Sequence, residues 1–199
     1  GMGVASGDWT GDSYPDLVVT NWDVELNAIY RNQFTESGQL EFAYSTYRIG
    51  MAGFGNSMTG WGVHFADFDL DTDLDMMTVN GRVPITNFDV DAEYVRLYGN
   101  RLAEGYPEQF REWTQLVGLR DNGTLMARGS AVADFDNDGD LDVAINSIGQ
   151  SITLLQNNRT QGNWLMLDFG GIYPGVKVDL TLADGTVLHR TVFAGSSYL

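Results

Sequence analysis

The 199-residue chain has no cysteine, which excludes a disulfide framework and any thiolate metal site. Basic residues are scarce: 11 Lys and Arg stand against 27 Asp and Glu, for a formal charge of −16. Nucleic-acid phosphates require clustered cations, and anionic membranes a basic stripe, so neither is an expected partner. No run approaches the roughly 18 apolar residues of a membrane span. Histidine is limited to His64 and His189, and neither has a Ser or Cys nucleophile in a recognisable turn beside it. The glycine-rich stretch Gly50-Met51-Ala52-Gly53-Phe54-Gly55 lacks the Lys-Ser/Thr ending of a phosphate loop. No catalytic constellation emerges. Apolar residues make up 43% of the chain, enough for a substantial core.

What is abundant is aspartate on alternate positions. Ala133-Asp134-Phe135-Asp136-Asn137-Asp138-Gly139-Asp140-Leu141-Asp142 places five carboxylates two residues apart. A plain strand would set all five on one face, mutually repelling. A loop wrapped around a hard cation suits them better, because Ca²⁺ takes about 6–8 oxygens and alternate carboxylates on a tight turn converge. The EF-hand pattern fails: its twelfth position requires a bidentate Glu, and Ile145 stands there. The flanks 130–133 and 141–145 read as short apolar strands, so the loop closes a hairpin. Asp134, Asp136, Asp138 and Asp142 are its expected side-chain ligands, with the carbonyl of Asp140 as a backbone ligand.

Two further copies follow the same spacing. Asp67, Asp69, Asp71, Asp73 and Asp75 repeat every carboxylate, while Asp8, Thr10, Asp12, Tyr14 and Asp16 keep positions one, five and nine. Thirteen of the 27 acidic residues thus lie in three loops. A glycine precedes each first Asp by five residues (Gly3, Gly62, Gly129), and a strand ending in Asn follows each loop (Asn32, Asn100, Asn157). The first aspartates are 59 and 67 residues apart, a period suited to a unit of several strands. Gly139 occupies a turn position that favours positive φ, where Thr72 and Ser13 stand in the other loops, so the expected affinity order is third, second, first. Metal-free polar turns are the alternative reading for each loop.

These residues resemble the FG-GAP or VCBS repeats of integrin-α-like β-propellers, in which each four-stranded blade carries one Ca²⁺ hairpin. The segments Gly162 to Leu167, Gly175 to Val178 and Ala194 to Leu199 resemble the ASPIC/UnbV module that follows such a propeller in the cartilage acidic protein family. The resemblance implies an all-β fold, a partial β-propeller over residues 1–158 with repeats near 2–56, 57–124 and 125–158, then a truncated β module over 162–199. It implies up to three Ca²⁺ ions and a secreted, periplasmic or cell-surface location. Function would be recognition or adhesion, with a protein or carbohydrate partner bound through propeller loops. The competing expectation is a non-catalytic part of a secreted or natural-product biosynthetic enzyme system, since the UnbV branch is associated with such gene sets. The chain opens inside a repeat and stops within the module, so it reads as an excerpt of a longer protein.

Other expectations are local. Residues 80–89 form an insertion between the second and third strands of the second unit, either a partner-specific surface or an ordinary loop. Residues 107–117 have partial helical spacing. His64 is expected to be packed or to face a channel, and the aromatics near the loops to wedge between blades. Beyond a linker at 159–162, strands are expected at 164–169, 176–182 and 187–193.

Overall fold

A computed structural model describes residues 1–50, 54–159, 162–171 and 173–193. The central part of the glycine-rich stretch, the middle of the linker and the final segment 194–199 lie outside the described residues. The chain is nearly all β. The first sheet is an antiparallel meander of β1 (Val4–Gly7), β2 (Asp16–Val19), β3 (Ala28–Asn32) and β4 (Phe42–Tyr44). The second repeats it with β5 (Gly60–Ala66), β6 (Asp75–Asn80), β7 (Arg96–Asn100) and β8 (Phe110–Glu112). The third has three strands among the described residues, β9 (Ala127–Ala133), β10 (Asp142–Ser147) and β11 (Thr153–Leu155). A separate hairpin of β12 (Lys177–Thr181) and β13 (Val187–Thr191) ends the described chain. Among the described residues two single-turn α-helices, α1 (Phe34–Ser37) and α2 (Phe88–Asp91), and a 3-10 turn at Leu119–Asn122 sit in connections.

The sheets lie side by side in a propeller-like arrangement, with the first strand of each against the first strand of the next. A Cβ on Gly3 would stand 1.9 Å from the carbonyl oxygen of Trp61, so only glycine permits β1 to approach β5 this closely. The Thr20 hydroxyl donates to that same carbonyl at 2.8 Å. Between β5 and β9, His64 Nε2 lies 2.9 Å from the Ser130 hydroxyl. Burial holds the imidazole below its ordinary pKa, against the pull of the Ser130 backbone, and His64 is packed between the two sheets.

The sequence of the middle sheet reflects this stacking. Every residue of β6 is buried, and Asp-Met-Met-Thr-Val-Asn shows no polar alternation because both faces are covered. Val63, Met76 and Tyr98 enter one core with Val18 and Ile29 of the first sheet. Met77, Val79 and Leu97 turn to the other face and pack with Val143 and Ile145 of the third. Aromatics wedge between the sheets as expected: Trp9 meets Phe110 at 5.4 Å between centroids, and Phe54 meets Tyr98 edge-on at 5.2 Å.

Two local expectations change, and a third region gains detail. Residues 107–117 contain no α-helix; β8 occupies Phe110–Glu112, because edge pairing with β7 and burial of Phe110 outweigh a weak helical period. Residues 164–169 form no strand and pair with no neighbour among the described residues, against the strand expected there. The insertion at 80–89 runs into α2, where the Asp91 carboxylate accepts the backbone N–H of Asn87 at 2.7 Å.

Candidate metal centres

Each aspartate loop closes the hairpin between the first two strands of its sheet. Its first Asp follows the last residue of one strand and its ninth begins the next, as the pairs Gly7↔Asp16, Ala66↔Asp75 and Ala133↔Asp142 record. Inside the turn, positions four and six both take left-handed backbone. These are Gly11 and Ser13, Leu70 and Thr72, Asn137 and Gly139, with φ between 56° and 97°.

Side-chain acceptors hold this shape identically three times. The first carboxylate receives the N–H groups of positions five and six: Asp12 and Ser13 donate to Asp8 at 3.0 and 2.7 Å. Asp71 and Thr72 donate to Asp67 at 3.1 and 3.0 Å, and Asp138 and Gly139 to Asp134 at 3.2 and 3.0 Å. The fifth carboxylate receives the N–H of position seven in every copy. The ninth receives position two and the Asn that ends the third strand: Asn32 N–H donates to Asp16 at 2.7 Å, Asn100 to Asp75 at 2.9 Å, and Asn157 to Asp142 at 2.8 Å. These bonds use part of each carboxylate's acceptor capacity and leave lone pairs for a cation.

The terminal Asn of the second and third sheets also ties the preceding loop to its sheet. Asn100 Nδ2 donates to the Trp9 carbonyl at 2.8 Å, and Asn157 Nδ2 to the Phe68 carbonyl at 2.9 Å. Covered in this way, Trp9 and Phe68 are 1% and 6% exposed, whereas Phe135 at the same position of the third loop is 46% exposed.

Carboxylate oxygens of Asp67, Asp69 and Asp71 lie within 4.8 Å of one another, as do those of Asp134, Asp136 and Asp142. Asp71 and Asp73 also meet Glu104, a residue of the β7–β8 connection that no loop spacing could reveal. In the first loop Thr10 replaces a carboxylate; its hydroxyl is 3.4 Å from Asp8 and 3.3 Å from Asp16. Tyr14 stacks on Phe34 at 4.7 Å. The side chains of Asp73 and Asp140 turn to the next connection, accepting the N–H of Ala103 at 2.9 Å and of Arg159 at 2.8 Å.

The electrostatics are those of carboxylates gathered out of water. Burial pushes Asp75 up to about 9 and Asp16 up to about 7, against the pull of the Asn100 and Asn32 N–H groups. Burial, with Asp71 adding repulsion, raises Asp69 to about 6 and Asp73 to about 7. Burial and the neighbouring Asp138 raise Asp140 to about 6. Asp8 and Asp67 are raised for the same first reason. The Oδ1 atoms of Asp69, Asp73 and Asp140 are buried without a hydrogen-bond partner. A hard cation fits this donor set: it favours the charged carboxylates and gives the orphaned oxygens something to bind.

The three like-built sheets and their aspartate hairpins define a repeat protein of propeller-like fold. Residues 8–78 match the FG-GAP-like repeat family. Across its length the chain is 26% identical to cartilage acidic protein 1 of Xenopus tropicalis and spans about 30% of that protein. Among the described residues, no helix is long and apolar enough to cross a membrane.

Proposed function

We propose that the chain is part of a calcium-stabilised extracellular recognition protein, in which Ca²⁺ bound in the aspartate hairpins lets the sheets stack and leaves the opposite loops to bind a protein or glycan partner. The observation that carries this reading is the threefold repetition of one acceptor geometry around converging carboxylates, two of the three loops assembling three oxygens within 4.8 Å. Asp134, Asp136, Asp138 and Asp142 would hold one ion and Asp67, Asp69, Asp71 and Asp75 another. The first loop, with Asp8, Asp12, Asp16 and Thr10, would hold the weakest. Sites in extracellular modules bind Ca²⁺ near 10⁻⁴–10⁻³ M, which suits a secreted or surface location. At the other end of the sheets the insertion exposes Ile85, Phe88 and Val90, an apolar group suited to a partner.

Calorimetric titration of Ca²⁺ into chelator-stripped protein tests the reading. We expect binding heat that Asp134→Ala reduces by one site. No heat, together with an unchanged melting temperature at millimolar Ca²⁺, would refute it.

A further inference from the structure

The first two sheets complete themselves by one rule. In each, the fourth strand starts ten residues after the Asn that ends the third, giving the pairs Asn32↔Phe42 and Asn100↔Phe110. The pairing is bounded in both by the same backbone bonds. Gln33 N–H donates to Glu41 and Ser45 to Ile29 in the first sheet, Arg101 to Gln109 and Trp113 to Leu97 in the second. Where a preceding sheet is present, the leading side chain fills the interface: Phe110 is buried and meets Trp9, the residue at position two of the preceding loop.

The third sheet stops at β11, whose outer edge is unpaired among the described residues and whose Leu154 is exposed. Between it and the second sheet lies a cleft of about 370 Å³, lined by Phe68, Leu97, Trp113, Leu141 and Leu155. Phe68 is the position-two residue of the second loop, so the cleft falls where Phe110 sits one interface earlier. Ten residues beyond Asn157 stands Leu167, in the segment whose Trp164, Leu165, Met166, Leu167 and Phe169 are all solvent-exposed. Five apolar side chains within six residues, without strand pairing, form a segment that burial elsewhere would stabilise.

We propose that this cleft is a docking seat for a fourth strand and that its occupant is Leu167-Asp168-Phe169 of the same chain. The register follows from the other sheets: Asn157↔Leu167, Gln156↔Asp168 and Leu155↔Phe169, with Asn158 N–H donating to Met166 and Gly170 N–H exchanging the Asp168 carboxylate, its acceptor at 2.7 Å in the undocked segment, for the Leu154 carbonyl. Leu167 then takes the place of Phe110 and covers Phe68. Closure removes an unpaired edge that would otherwise recruit foreign strands, and it ties the start of the C-terminal segment to the third sheet. The seat is independent of whether the loops bind calcium.

The chain has no native cysteine, so a pair introduced as Gln156→Cys with Asp168→Cys reads the register directly; directly opposed strand residues lie within disulfide reach. Under mild oxidation we expect an intrachain cross-link, lost when Leu167→Asp is added. Hydrogen exchange on the unmodified protein gives a second readout: the Asn158 amide should exchange at least about tenfold more slowly than an unstructured amide. Free exchange at Asn158 while the β10 amides remain protected, or a cross-link found only between two molecules, would overturn the assignment.

Discussion

At single positions the loops combine strained backbone with crowded charge. Thr72 holds φ at 89°, a region that a β-branched residue enters at a cost and glycine enters freely. Thr72→Gly should therefore raise stability by about 0.5–1 kcal/mol after the entropy of glycine in the unfolded chain is deducted, a gain readable in urea unfolding. The reverse holds at Gly139, where φ is 97° and a Cβ would stand 2.0 Å from Trp164. Gly139→Ala should cost about 1–3 kcal/mol. Titration gives a second handle. The carboxyls of Asp69, Asp140, Asp16, Asp73 and Asp75 have folded values of about 6 to 9, above the ordinary 3.8, so the metal-free folded state holds more protons than the unfolded one. Their contribution is fully present below pH 3.8 and is lost as pH rises through about 6 to 9. Chelated protein should thus melt at progressively lower temperature as pH is raised across that window. Bound Ca²⁺ should flatten the trend, because it stabilises the ionised form. A chelated protein whose melting temperature rises from pH 6 to 9 would contradict the assignment of these buried charges.

At the scale of the element, the third strand of the second and third sheets does more than pair with its neighbours, because its final Asn fastens a hairpin in the preceding sheet. Asn100 is fully buried and donates to both Trp9 and Leu74 carbonyls, at 2.8 and 3.2 Å. Asn100→Ala would strand two buried acceptors and should cost about 2–4 kcal/mol in denaturant unfolding. Asn32, whose side-chain amide donates to the Pro15 carbonyl alone, should cost about half as much when changed to Ala. Equal losses would mean that the contact between sheets contributes nothing. The recurrence of Asn32, Asn100 and Asn157 was visible in the amino-acid order, as were the hairpins, the inner strands and the left-handed turn at position six. Their partners were not, because a bond from Asn100 to Trp9 joins residues 91 apart, and local patterning carries no record of it. Glu104 escaped notice for the same reason, reaching Asp71 and Asp73 from another connection. The helix expected near 107–117 failed because apolar spacing over one or two turns fits a buried edge strand equally well.

For the whole molecule, the central quantity is a charge of −16 with nearly half of its carboxylates in three turns. Stacking the sheets brings those turns together with their backbones satisfied, yet three of their oxygens are buried without partners. If each loop binds Ca²⁺ and the free ion stands near ten times Kd, linkage contributes about 1.4 kcal/mol per site and about 4 kcal/mol for three. For a chain of this size that corresponds to a rise in melting temperature of roughly 8–16 °C. Simple screening would act differently. The clustered oxygens lie within 4.8 Å of one another, inside the Debye length of about 8 Å at physiological ionic strength, so added monovalent salt reaches their repulsion poorly. Sodium chloride matched in ionic strength should therefore recover only a small fraction of the calcium effect, and Mg²⁺, which demands a tighter octahedral shell, should recover little more. A sodium chloride series that reproduces the full rise would show that the loops respond to bulk screening and that no ion is held between their carboxylates.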